Sequence, residues 1–139
     1  MLQFLLDTDH LTLYEHGHPT VVARVDAQPL TAGGLSAVTV EEALRGRLAV
    51  VARARDGTSR VRSYGQLLGT VQLLTEFVLV PFDLASEVEF QQLLGQRLCL
   101  GTQDLKIAAI TLAQRLTFVT RNRQDFSRVP GLGLQDWSV

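Results

Sequence analysis

Four short apolar runs, each separated from the next by stretches with helical character, constrain this chain more than any other feature. They are Gln3–Leu6, Leu35–Val38, Phe77–Val80 and Thr117–Thr120, with a weaker fifth run at Leu132–Gln135. Apolar runs of this length read as strands buried on both faces. A polar helix opens near Thr8–His10 and is stopped by His16-Gly17-His18-Pro19. Further helices are predicted over Thr20–Ala27, from Thr39 to about Arg55, and over Val61–Glu76, Leu84–Leu98 and Gln103–Arg115. Asp56-Gly57-Thr58 is a turn. Within Val61–Glu76, Leu67, Leu68, Val71 and Leu74 fall at helical spacing. Buried strands alternating with helices imply an α/β domain over residues 1–139: a mainly parallel central sheet flanked by helices on both faces.

Composition agrees and excludes several classes. A chain of 139 residues with 46% hydrophobic content can bury a core and is not disordered. No apolar run reaches about 18 residues, so no membrane span is expected. The opening Met1-Leu-Gln-Phe-Leu-Leu-Asp7 lacks a basic region and reads as a strand, not a signal peptide. Cys99 is the only cysteine, which excludes an internal disulfide and a cysteine-based zinc site and makes a cytoplasmic location the expectation. The net charge of −1 does not advertise nucleic-acid binding by itself. Twelve of the 13 basic residues are Arg, the cation better suited to bidentate phosphate contacts.

In a parallel α/β sheet, ligands bind in the crevice at the carboxyl ends of the strands. Several acids are predicted to share that rim. Asp7 follows the first strand, and Glu42 lies in the first turn of the helix after the second. Asp104 opens the helix leading into Thr117–Thr120, and Asn122 and Asp125 follow that strand. Each acid also has a structural explanation. Thr39-Val-Glu-Glu42 matches a capping box. Asp104 follows Thr102, a candidate N-cap, and Asp125 could cap the turn Arg123–Ser127. Such arguments account for single acids but do not require them to converge. Carboxylates that do converge repel one another unless a divalent cation neutralises them. All-oxygen donors suit Mg²⁺ or Mn²⁺, and such sites hydrolyse phosphodiesters.

The residues that carry this pattern resemble a known family. Leu-Leu-Asp7-Thr-Asp9, Leu-Ser-Ala-Val-Thr39-Val-Glu-Glu42-Ala-Leu-Arg-Gly46, Leu-Gly101-Thr-Gln-Asp104-Leu-Lys-Ile-Ala-Ala and Val-Thr120-Arg-Asn122-Arg-Gln-Asp125-Phe126 resemble, in order, the motifs of the PIN domain. The nearest likeness is to the VapC toxins of bacterial toxin–antitoxin pairs, and it covers almost the whole chain. The resemblance implies an endoribonuclease dependent on Mg²⁺ or Mn²⁺. Its carboxylates would be Asp7, Glu42 and Asp104, with Asp125 as the fourth. Many PIN domains have an acid where Asn122 stands, while VapC-like members often carry Asn there and an acid three residues on. Asp7 and Asp104 are assigned to the metal, and Glu42 to positioning or deprotonating the attacking water. Asp125 is assigned to an outer role or a second metal. Thr120, Arg121, Asn122 and Arg123 are candidate substrate contacts, and hydroxyls at Thr8 and Thr102 are further polar candidates. The resemblance also implies a homodimer that assembles with a VapB-like antitoxin into a heterotetramer or larger complex. Operator DNA would be contacted only through the antitoxin.

The sequence offers three other readings. His10, His16 and His18 lack convincing metal spacing, and the latter two fit capping at a helix terminus. Asp7-Thr-Asp9 also resembles the opening of haloacid-dehalogenase-type phosphatases, but Leu11 and the position of Lys106, the single Lys, do not fit that pattern. The alternative from a different functional class is a catalytically inert PIN domain that binds RNA or an antitoxin. Asn122 permits it, and Asp7, Glu42 and Asp104 argue against it.

Overall fold

The apolar runs do form strands, and they pair in parallel throughout. The computed structural model describes residues 1–139. The elements, in order, are β1 (Phe4–Leu6), α1 (Thr8–Glu15), α2 (Pro19–Asp26), β2 (Gly33–Ser36), α3 (Ala37–Arg53) and α4 (Gly57–Leu74). Then come β3 (Val78–Val80), α5 (Leu84–Gly95), α6 (Thr102–Gln114), β4 (Thr117–Val119), α7 (Arg123–Phe126) and β5 (Gly133–Gln135). The five strands lie in the order β3-β2-β1-β4-β5. Phe4 of β1 stands beside Gly33 on one side and Thr117 on the other, so all the strands point the same way. The chain runs outward from β1 to β3, then returns to lay β4 on the other flank of β1. That reversal makes the carboxyl ends of β1 and β4 the switch point at which such sheets bind ligands.

Successive strand residues face opposite layers, as the pleat dictates. Leu5 and Phe118 enter a core with Phe90, Leu93, Leu105 and Ile110 from α5 and α6. Leu6, Leu35 and Val119 enter a second core with Leu11, Leu74, Phe77 and Trp137. Burying each such side chain contributes about 1.5–3 kcal/mol, so the strand ends that carry the rim are rigidly seated. Gly34 in β2 is required by space, not by φ. A Cβ there would lie 2.9 Å from Leu2 Cδ1, 3.0 Å from Val80 Cγ2 and 3.2 Å from the Val78 carbonyl. No helix is long and apolar enough to cross a membrane.

Several boundaries differ from the sequence expectation, for local reasons. The second strand ends at Ser36, not Val38, and the Ser36 hydroxyl caps α3 by accepting the Thr39 N–H at 3.0 Å. The Thr39–Glu42 capping box therefore does not form. α4 starts at Gly57, four residues before the expected Val61, because Asp56 caps it through the Ser59 N–H at 2.7 Å. The N-cap of α6 is Gly101, without a side-chain cap, so Thr102 is inside the helix. Asn122, not Asp125, caps α7.

Candidate active site

Asp7 leaves β1 and becomes the N-cap of α1. Its Oδ1 accepts the His10 backbone N–H at 2.7 Å and lies 3.0 Å from His10 Nδ1. The next residue, Thr8, donates its hydroxyl to Glu42 Oε1 at 2.9 Å. Glu42 is the sixth residue of α3, one turn further along than expected. Since the capping box is absent, its carboxylate is free of a capping role and is tethered to the end of β1 by Thr8.

Asp104 is the third residue of α6, half-buried. Its carboxyl is pushed above the ordinary carboxylate range by burial first, then by the charges of Asp125 and Asp7. No hydrogen-bond donor offsets those effects. Asp125 rides on α7, which is anchored by Phe126 packed edge-on against Phe118, ring centroids 4.7 Å apart. Such aromatic pairs add about 0.5–1.5 kcal/mol beyond the area they bury. The Asp125 Oδ2 accepts from Asn122 Nδ2 at 3.0 Å, and Oδ1 lies 3.5 Å from Arg128 Nη2.

A cleft of about 420 Å³ opens at this rim. It is lined by Asp7, Thr8, Asp9, Glu42, Asp104, Thr120, Arg121 and Asn122, with Ile107, Phe118 and Phe126 as its apolar wall. Asp125 and Arg123 stand outside the lining. Thr120 is buried, and its hydroxyl oxygen accepts the Asn122 N–H at 3.0 Å. It thus shapes the turn that carries Asn122. Arg121 donates from Nε to Asp9 Oδ2 at 2.7 Å, both side chains about half exposed. Sequence reasoning assigned Asp9 no role at the rim, and the two partners are 112 residues apart. A larger cavity, about 620 Å³, lies away from this cleft and is lined mainly by apolar groups including Val25, Leu30, Phe77 and Trp137.

His10 is the second residue whose part was missed. It is fully buried, with Nε2 accepting the Trp137 backbone N–H at 3.2 Å. Its i+3 spacing from Asp7 was legible, but its partner 127 residues away was not. His18 caps α2, its Nδ1 accepting the Val21 N–H at 3.3 Å, and His16 closes α1.

The donors facing the cleft are hard carboxylate oxygens, the set that suits Mg²⁺ or Mn²⁺. No three His, Cys, Asp or Glu side chains converge on one point closely enough to hold an ion together. Asp7 and Glu42 are each turned toward a donor of their own, and Asp104 is repelled by its acidic neighbours. In donor chemistry the fit is good. A half-buried carboxylate with no donor of its own, raised by two like charges, is the group that a divalent cation would relieve.

No family model matches the sequence, and no curated protein matches it either. Solved structures do. The DNA-bound VapBC complex from Salmonella typhimurium contains a chain that matches with a TM-score of 0.80 at 20% identity, covering 99% of each chain. VapBC-1 from nontypeable Haemophilus influenzae matches at 0.80 and 18%, over 99% of this chain and 100% of that one. FitAcB from Neisseria gonorrhoeae matches at 0.70 and 26%, over 96% and 97%. The fold is the α/β PIN-like fold of the matching chains in these VapBC and FitAcB structures.

Proposed function

We propose that this chain is the toxin of a VapBC-type pair and cleaves RNA as a Mg²⁺- or Mn²⁺-dependent endoribonuclease. The observation that carries the reading is the half-buried, unpartnered Asp104 carboxylate, which shares one cleft with Asp7 and Glu42 at the switch point of a parallel sheet and is raised by burial first, then by Asp125 and Asp7. Asp7 and Asp104 would hold the cation, with Asp125 in an outer position. When bound, it would stabilise charge developing on the phosphate and acidify the attacking water. Glu42, steadied by Thr8, orients that water and takes its proton through the oxygen that Thr8 leaves free. Arg121 in the cleft and Arg123 beside it would contact substrate phosphates, on a turn shaped by Thr120 and Asn122. Solved structures of this fold include a toxin–antitoxin complex and VapBC and FitAB complexes bound to DNA. By analogy the partner here is a VapB-like antitoxin bound to a toxin dimer, and operator DNA is reached through the antitoxin.

The test is cleavage of a structured RNA by the purified protein across a Mn²⁺ titration, with chelator as control. Metal-dependent internal cleavage supports the reading. Absence of cleavage with every RNA class and either metal would leave the inert binding module, the reading that Asn122 permits.

A further inference from the structure

His10 has no sequence neighbour that explains its complete burial. Its imidazole spans from the first carboxylate of the site to the last residues of the chain. A backbone N–H can only donate, so the Trp137 N–H at 3.2 Å requires a lone pair on Nε2. The ring proton must then sit on Nδ1, which faces Asp7 Oδ1 at 3.0 Å. Asp136 Oδ1 also lies 3.4 Å from Nε2. It needs no proton from the ring, because it already accepts from Ser138 N at 2.8 Å and Ser138 Oγ at 2.6 Å. The same Asp7 oxygen accepts the His10 backbone N–H at 2.7 Å. Both donors thus converge on Oδ1 and leave Oδ2 without a protein partner.

We propose that His10 is a positioning residue of the site: the Trp137 N–H fixes its tautomer, and its Nδ1–H fixes the Asp7 carboxylate with Oδ2 free for a divalent cation. A buried donor behind a ligating carboxylate sets that ligand's orientation, and removing such a partner typically weakens metal affinity 10- to 100-fold. The inference rests on the metal-dependent reading of the cleft. It also makes the segment Asp136–Val139 part of the site's architecture. Trp137 is itself held, its ring edge-on to Phe4 with centroids 5.0 Å apart and its indole N–H donating to Gln135 Oε1 at 2.8 Å.

Two variants separate the halves of the bridge. His10→Asn keeps an amide donor near the Nδ1 position but loses the acceptor for Trp137. His10→Gln carries an acceptor near the Nε2 position but loses the donor to Asp7. Mn²⁺ alone is titrated into each full-length protein, with affinity read by electron paramagnetic resonance and Tm measured in parallel. His10→Gln should weaken Mn²⁺ binding about 10- to 100-fold, while His10→Asn binds within about threefold of wild type despite a lower Tm. Equal affinities in all three proteins, or losses that simply follow Tm, overturn the proposal. A measurement on the wild type stands apart from variant folding. The ¹⁵N shifts of the His10 ring should report a neutral, Nδ1-protonated tautomer, and protonation on Nε2 overturns the proposal. A wild type that binds neither Mn²⁺ nor Mg²⁺ sinks the nuclease reading, and the ring tautomer still decides whether His10 grips Asp7.

Discussion

Asp7 has a structural role and, in the proposed function, a chemical one, and Asp7→Asn and Asp7→Ala pull them apart. Its Oδ1 caps α1 and receives the His10 ring proton. Ala removes the cap, at about 0.5–2 kcal/mol. It also strands a buried His10 donor, at about 1–3 kcal/mol. The Asp7 side chain retains 14% exposure, so water can reach the vacated position and the second cost falls at the low end. The sum is about 2 kcal/mol, a fall in Tm of roughly 8 °C for a domain of this size. Asn caps as well as Asp does, and its carbonyl accepts both hydrogen bonds. It also removes one of the charges that raises Asp104. The stability change for Asn should therefore stay under about 1 kcal/mol. Catalysis should respond the other way. In the proposed mechanism several kcal/mol of transition-state stabilisation would rest on the cation, so either variant should lose at least about 100-fold in Mn²⁺-dependent cleavage. Scanning fluorimetry and a fluorophore–quencher RNA read the two quantities separately. An Asn variant as unstable as the Ala variant refutes the capping argument. An Asn variant with full activity refutes the placement of Asp7 in the site.

Thr8→Val should leave Tm within a few degrees but lower kcat about tenfold, the equivalent of about 1.4 kcal/mol, through loss of the donor that holds Glu42; Thr8→Ser should restore it, and a silent Thr8→Val would remove the tether from the scheme. Asp104→Asn should raise the Tm of metal-free protein at pH 7. The raised Asp104 carboxyl keeps its proton in the fold over a pH window where the unfolded chain has released it, so its contribution to stability falls as pH rises through that window. The gain should shrink as pH drops into the carboxylate range, and a Tm difference independent of pH would contradict this origin. Gly34→Ala should cost about 1–3 kcal/mol, roughly 4–12 °C in Tm, because the Val78 carbonyl cannot move aside as a side chain can; a neutral melting curve would show that β2 and β3 can separate without penalty.

How much was legible in the sequence depended on how local each signal was. Strand runs ending in polar residues placed Asp7 and the turn at Thr120–Asp125, and the start of α6 placed Asp104, because these depend on hydropathy patterns a few residues long. The parallel sheet followed, since strands buried on both faces need covering helices. Glu42 was seen but misplaced by a turn. Ser36 and Thr39 compete to cap α3, and the choice falls to Ser36 because β2 pairs with β1 and β3, bringing Ser36 opposite Val80. No local pattern contains that pairing. The same limit explains Arg121 with Asp9 and His10 with Trp137, contacts made only when the sheet brings distant segments together. The sequence by itself determined the residue types, their order and the strand edge on which they fall. Tertiary structure alone decided which oxygen of Asp7 is held, what tethers Glu42 and why Asp104 stands unpartnered, because these depend on ångström-scale distances between chain segments up to 127 residues apart.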